Sequence, residues 1–325
     1  MNITVIGIGS ASSPSTRFRF HQYADLFAEA GHQLNFVYKY DIDAVPFWQA
    51  LANADIIINQ KCLLGKRYAR RIFNLGKPVF FDFDDAIWTR PGKPYSWLTQ
   101  RKVDRRLARW LSGATGVMVA NSFLAEKAAQ YSRNVEVIPM ALDTERWKPA
   151  EKRKAKDRIF VGWNGGPNNL PLLEQLNPLL KAFLRQHPQV EMHVFCGKKP
   201  CFDFPYEYHS FSVEREIPFV QSLDIGLLPL ESGEHSDGKS PIKALQYMAC
   251  GVPVVGNFNR GGAGFLINST CIKVLSVAQW APALERLVYD DSFRKSLALN
   301  GRNMAQDAHS VTQVFVKFKK FLLCD

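Results

Sequence analysis

Short apolar runs alternate with amphipathic stretches from the first residue onward. "ITVIGI", "LNFVYK", "ADIIIN", "PVFFDF", "GVMVA" and "VEVIPM" read as strands, and residues 16–30, 65–75, 98–112 and 122–131 between them carry apolar positions at helical spacing. Such a βα repeat predicts a mostly parallel sheet covered on both faces. Near Asp143 the pattern stops, because "DTERWKPAEKRKAKD" is polar, charged and interrupted by proline, a linker by composition. Alternation resumes with "RIFVGWNGG", a helix over 169–186, "EMHVFCG", a helix near 214–222, "DIGLLPL" and "VPVVGN". Residues 277–323 read as wholly helical and end in the amphipathic "VTQVFVKFKKFLL". The expected fold class is α/β, with two doubly wound parallel-sheet domains at 1–142 and 158–308. A linker at 143–157 joins them, and a terminal helix at 309–325 returns to the first. Ligands of such sheets bind outside the carboxyl ends of the strands, so both sets of ends are expected to face one cleft.

Composition narrows the setting. With 46% hydrophobic and 22% charged residues in 325, the chain reads as a globular protein with room for two α/β domains. A strand begins at once, so no signal peptide is expected, and no apolar run approaches the roughly 18 residues of a membrane span. The six cysteines, at 62, 196, 201, 250, 271 and 324, have no metal-type spacing and fit buried free thiols in a reduced cytoplasmic compartment. The net charge of +11 is uneven: residues 1–139 hold 18 Lys/Arg against 11 Asp/Glu, and residues 158–325 hold 17 against 15. Such a basic half suits nucleic acid, anionic lipid or a phosphorylated substrate. Nucleic acid is not expected, since no basic strand is interleaved with aromatics and no binding motif is present.

Several loops carry candidate chemistry. In "GIGSASSPSTRFRF", Gly7 and Gly9 permit a tight turn, while Ser12 occupies the third position of a dinucleotide fingerprint, which weakens a nicotinamide or flavin assignment. Arg17 and Arg19 are expected at the start of the next helix, where they suit a phosphate or carboxylate. Asp82, Asp84 and Asp85 in "FFDFDDAIW" fit hydroxyl binding or a helix cap better than a metal, because no histidine or further carboxylate follows nearby. "RKVDRRLARWL", residues 101–111, fits either an ordinary surface helix or one docking on anionic lipid. "GWNGGPNN" could cradle a diphosphate at Gly165 and Gly166, and "CGKKP" adds Lys198 and Lys199 on the presumed same edge. In "SDGKSPIKALQYMACGVPVVGN", Ser240 is the expected N-cap and Pro241 the first helical residue, with Lys239 and Lys243 flanking the positive end of a helix dipole.

In combination these segments resemble retaining glycosyltransferases of the two-domain GT-B type, similar to the large family 4 group (glycosyl transferases group 1). "STRFRFHQYADLFAEAGHQLNFV", "FDFDDAIW" and "ANSFLAEKAAQYSRNVEVIPMALDTERW" resemble that group's first domain. "VGWNGGPNNLPLLEQLNPLL", "LDIGLLPLE" and "GKSPIKALQYMACGVPVV" resemble its nucleotide-binding half, and the last is the most specific. The resemblance implies two Rossmann-like domains, the second binding a nucleoside diphosphate sugar and the first a glycan or lipid-linked acceptor. It implies a catalytic set of Lys239, Lys243 and Asp85, with no metal and no cofactor. Donor contacts would come from Gly165, Gly166, Asn168, Lys198, Asp237, Ser240, Pro241, Ile242 and Gln246. An acceptor or phosphate loop would use Gly9, Ser10, Arg17, Arg19 and Asp84. An anionic membrane surface is a further expected partner, with the protein peripheral on the inner face. Two positions depart from the group: Gly238 and Gln246 stand where many members carry glutamates. Gln246 can still hydrogen-bond ribose hydroxyls, and Asp237 is the substitute for the first glutamate. Arg-x4-Lys after the second domain's first strand is also absent, with the asparagine loop in its place. The alternative that these departures leave is a non-catalytic nucleotide-sugar-binding homologue or partner subunit.

Overall fold

The computed structural model describes residues 1–10, 13–150 and 158–323, so the expectations for Ser12, linker residues 151–157 and Cys324 lie outside the described residues. The chain divides into two compact units. One comprises Met1–Ala141, Ser232–Ser240 and Val311–Asp325, and the other Leu142–Glu231 and Pro241–Ser310.

The first unit holds six parallel strands: β1 (Asn2–Gly7), β2 (Gln33–Tyr38), β3 (Ile56–Gln60), β4 (Val79–Phe83), β5 (Gly116–Val119) and β6 (Val135–Val137). Their spatial order is β2-β1-β3-β4-β5-β6, which reverses direction between β1 and β3. β3, β4 and β5 are buried at every position, as unbroken apolar runs must be when helices cover both faces. The terminal helix Val311–Leu323 packs Val314, Phe315, Phe318 and Leu322 into this core, with Phe27 and Phe315 rings meeting edge-on at 4.9 Å.

The second unit repeats the scheme with β7 (Ile159–Asn164), β8 (Val190–Cys196), β9 (Glu207–Ser210), β10 (Ile225–Leu228), β11 (Val254–Gly256) and β12 (Cys271–Lys273). Here the order β12-β11-β10-β7-β8-β9 is that of a dinucleotide-binding sheet, with its switch between β7 and β10. In β10, Gly226 lets the Ile242–Ala249 helix approach closely, since a Cβ there would lie 2.6 Å from the Tyr247 ring. The stretch 277–323 is a 3-10 turn, Val277–Gln279, followed by three α-helices, Trp280–Tyr289, Asp291–His309 and Val311–Leu323. Asp290 caps the second α-helix by accepting from Phe293 N at 2.8 Å, and Ser310 breaks the chain with extended backbone. The five described cysteines are free thiols, buried except Cys201.

Two polar clusters at the carboxyl ends of the strands

In the second unit, β7 ends at the switch point on Asn164, and four polar side chains close a ring there. Lys243 Nζ donates to Glu216 Oε1 at 2.9 Å and to Asn164 Oδ1 at 3.2 Å. Asn164 Nδ2 donates to Gln246 Oε1 at 3.1 Å, and Gln246 Nε2 donates to Glu216 Oε1 at 3.1 Å. Tyr247 Oη accepts from Asn164 N at 2.8 Å, which fixes the strand end to the helix. Glu216, Asn164 and Gln246 are buried, whereas the Lys243 side chain keeps 27% exposure. Only the lysine of this ring can meet a ligand without dismantling it.

Gln246 is therefore not where a ribose would meet it: it is 0% exposed and both amide atoms are engaged inside the ring. Glu216 was not legible as a site residue, although its place on the buried stripe with Phe219 and Val220 was a signal. The helix begins at Ile242 with Pro241 as its N-cap residue, one position later than the sequence suggested. Ser240 lies one residue before that N-cap, and its Oγ accepts from Asn121 Nδ2 at 3.0 Å. Gly165 is buried, and a Cβ on it would fall 2.1 Å from the Trp163 ring, so that turn requires glycine. Gly166, Asn168 and Lys198 are exposed, Ile242 is half-buried, and none of them joins the ring.

The first unit has its own cluster at the switch between β1 and β3. Lys61, directly after β3, places Nζ 2.6 Å from Asp84 Oδ1 and 2.6 Å from Asp85 Oδ2, just past β4. Ser15 Oγ donates to Asp84 Oδ2 at 3.1 Å. Burial alone would lower the Lys61 ammonium's pKa, but Asp84 and Asp85 raise it above the ordinary lysine range. For Asp85, burial opposes ionisation, yet Lys61, then Lys239 and His235, hold its carboxyl below the usual carboxylate range. Lys61 was missed from sequence.

Arg17 and Arg19 lie in the last turn of a short helix, Pro14–Arg19, not at a helix start, so no positive dipole end reinforces them. Arg19 is turned inward. It is 1% exposed and makes a forked ion pair with Asp82, Nη2–Oδ1 at 2.6 Å and Nε–Oδ1 at 2.9 Å, while Nη1 donates to Ile138 O. That guanidinium is part of the fold and not of an acceptor loop. Arg17 is half-buried over the Phe18 ring. Gly9 O accepts from Thr16 Oγ1 at 3.1 Å, and Ser10 O accepts from Ser13 N at 2.9 Å. Every carboxylate of the Asp82, Asp84 and Asp85 group thus faces a cation of the chain itself. Among the described residues no group of three or more His, Cys, Asp or Glu side chains could hold a metal ion.

The segment Ser232–Ser240 is anchored in the same unit. Glu234 Oε1 accepts from Trp88 Nε1 at 2.7 Å, and Gly238 O accepts from Asn121 Nδ2 at 3.0 Å. A Cβ at Gly238 would sit 2.5 Å from that of Ala86, so this position takes glycine for close approach. Asp237 ends a short helix, Glu234–Asp237, half-buried.

Away from both clusters, a groove of about 370 Å³ runs between the helices Lys66–Phe73 and Trp97–Gly113. Lys66, Arg101, Lys102, Arg105, Arg106 and Arg109 line it, and Trp97 and Leu98 stand 63% and 72% exposed beside them. No helix among the described residues is long and apolar enough to cross a membrane.

No family model and no curated protein sequence matches the chain. Solved structures do. Sucrose-phosphate synthase from Thermosynechococcus elongatus is similar with a TM-score of 0.75 and 13% identity, over 99% of this chain and 98% of that one. Anabaena HepE in complex with UDP-glucose follows with a TM-score of 0.71 and 14% identity, over 100% of both chains. A glycosyltransferase from Rickettsia africae has a TM-score of 0.71 and 9% identity, over 99% and 98%. With its two six-stranded parallel sheets, and these neighbours matched from end to end, the chain has the two-domain α/β fold of GT-B type.

Proposed function

We propose that the protein is a glycosyltransferase that moves a sugar, with retention and without a metal, from a nucleoside diphosphate sugar to a glycan or lipid-linked acceptor. The observation that carries this is Lys243, a 27% exposed side chain whose ammonium is held at the β7–β10 switch point by the buried Glu216 and Asn164. Two structural neighbours were solved with UDP-glucose or UDP bound, which supports a sugar nucleotide as the ligand. In this proposal Lys243, together with Lys239, takes up the charge that grows on the diphosphate as the glycosidic bond breaks. Fixed charge of this kind commonly supplies several kcal/mol of rate. The acceptor is assigned to the Asp84–Asp85 cluster.

Thermal-shift screening against UDP-, GDP-, ADP-, CMP- and dTDP-sugars, followed by donor hydrolysis, tests this. At ligand concentrations about 100-fold above Kd, mass action adds about 2.7 kcal/mol of stability. We expect one base to stabilise the protein clearly and its sugar to be released with turnover. An alternative, nucleotide-sugar binding without transfer, is favoured by Gly238, whose contact with Ala86 leaves no room for a carboxylate. Stabilisation without hydrolysis or transfer would decide for it.

The basic groove supports an anionic lipid surface as the place where the acceptor is met. Exposed Trp97 and Leu98 beside six cations suit a bilayer interface better than a nucleic acid. The full chain is expected to co-sediment with vesicles containing anionic lipid and not with zwitterionic ones. Since each basic residue near such a surface is worth about 1 kcal/mol, Arg101→Ser/Arg105→Ser should weaken partition at least about tenfold. Equal partition of that variant would remove the membrane assignment.

A further inference from the structure

We propose that Lys61 is a positioning residue for the transfer reaction: it pins Asp84 and Asp85 side by side so that Asp85 presents its second carboxylate oxygen to the acceptor hydroxyl. This rests on the glycosyltransferase proposal above.

The backbone is the first observation. Lys61 has φ +43° and is the one non-glycine residue with positive φ among the described residues. L-residues enter this region against steric resistance, and surrounding structure must hold them there. Two contacts do so. Lys61 N donates to Asp82 O at 2.6 Å, and Asn59 brackets Cys62, its Nδ2 donating to Cys62 O at 3.0 Å and its Oδ1 accepting from Cys62 N at 3.1 Å. The resulting turn sends Nζ across from the end of β3 to the end of β4, where it meets both carboxylates at 2.6 Å.

The division of labour between the carboxylates is the second. Asp84 is buried, with Oδ1 on Lys61 and Oδ2 on Ser15. The Asp85 side chain keeps 29% exposure and gives only Oδ2 to Lys61. Consecutive carboxylates this close repel each other, and the ammonium between them offsets that repulsion. Asp85 also lies in the field of Lys239, the residue assigned to the diphosphate. In the transfer step the acceptor hydroxyl approaches on the face from which the diphosphate leaves, which retains the anomeric configuration, and gives its hydrogen to Asp85 Oδ1 as its oxygen bonds to the anomeric carbon. The bond from that carbon to the diphosphate oxygen breaks, its electron pair leaving with the nucleoside diphosphate. The proton then passes from Asp85 to solvent. Lys61 touches no substrate.

The test compares the full-length wild type with Lys61→Met and Lys61→Met/Asp84→Asn. Asp85 is followed by NMR titration of 13C-carboxyl-labelled protein, assigned with Asp85→Asn, and UDP-glucose hydrolysis is measured across pH. Losing Lys61 should move the Asp85 titration upward by about one pH unit or more, and the acid limb of kcat/KM with it. The double variant removes one charge of each sign, so it should recover the melting temperature while kcat stays at least about tenfold down. Unchanged Asp85 titration in Lys61→Met, or wild-type kcat in the double variant, would reduce Lys61 to a charge-balancing residue and overturn the proposal. A wild type that hydrolyses no sugar nucleotide counts against the glycosyltransferase assignment instead, and the titration still decides whether Lys61 governs Asp85.

Discussion

Replacing Arg19 with methionine is expected to destabilise the first unit by about 3–5 kcal/mol, the usual cost of leaving one member of a buried ion pair without its partner. Asp82 is 0% exposed, and Arg19 supplies the guanidinium that both of its oxygens meet. Arg19 also ties the end of β6 to the unit through Ile138 O and Pro139 O, so those carbonyls lose a donor as well. For a domain of this size each kcal/mol moves Tm by about 2–4 °C, so a fall of roughly 10 °C is expected in calorimetry. Two controls isolate the cause. Arg19→Met/Asp82→Asn should recover a good part of the loss, because no charge remains stranded. The single variant should also lose less at pH 5 than at pH 8, since an unpaired buried carboxyl has a raised pKa and is increasingly neutral as pH falls. A pH-independent loss, unchanged in the double variant, would mean that packing and not charge sets the value of Arg19.

How much of this could be read from sequence depends on how far each feature reaches along the chain. Strands such as "ADIIIN" and "PVFFDF" announced themselves because burial on both faces demands unbroken apolar runs, which leave a local trace. β9 left none: "EYHS" is a half-exposed edge strand, and polar edges look like loops. The helix Val45–Ala52 was also missed, its eight residues too few to establish a period. The clusters are harder because their members are distant. Lys61 meets carboxylates 23 and 24 positions away, and Lys243 meets Asn164 79 positions away, so only the fold reveals the pairings. Arg19 shows the reverse hazard. In a loop rich in glycine and serine it had every mark of a ligand contact, yet Asp82 at the end of β4 claims it. Each was an ordinary charged residue until topology supplied its neighbour.

Lys243→Ala should lower donor turnover by about 10²–10³, the range seen when one fixed donor to a developing anion is removed. The obvious objection is that this variant also strands Glu216. That carboxylate is 3% exposed and accepts from Lys243 and Gln246, so removing the ammonium takes a charged donor from a buried carboxylate. Some loss of stability is therefore expected with the loss of rate, and a single variant cannot separate them. Lys243→Ala/Glu216→Gln can. The glutamine is nearly isosteric and neutral, so Tm should return toward wild type, while the ammonium proposed to meet the diphosphate is still missing and turnover stays low. Recovery of both stability and turnover would show that Lys243 serves only to satisfy Glu216. Recovery of stability alone would assign the ammonium to the leaving group, with Glu216, Asn164 and Gln246 as the buried frame that aims it. Nucleotide binding gives a further discriminator: an interaction that strengthens as charge develops is lost mainly from kcat, whereas one that merely holds the diphosphate is lost from KM. The expected outcome is a fall dominated by kcat, measured with the sugar nucleotide that gives the largest thermal shift.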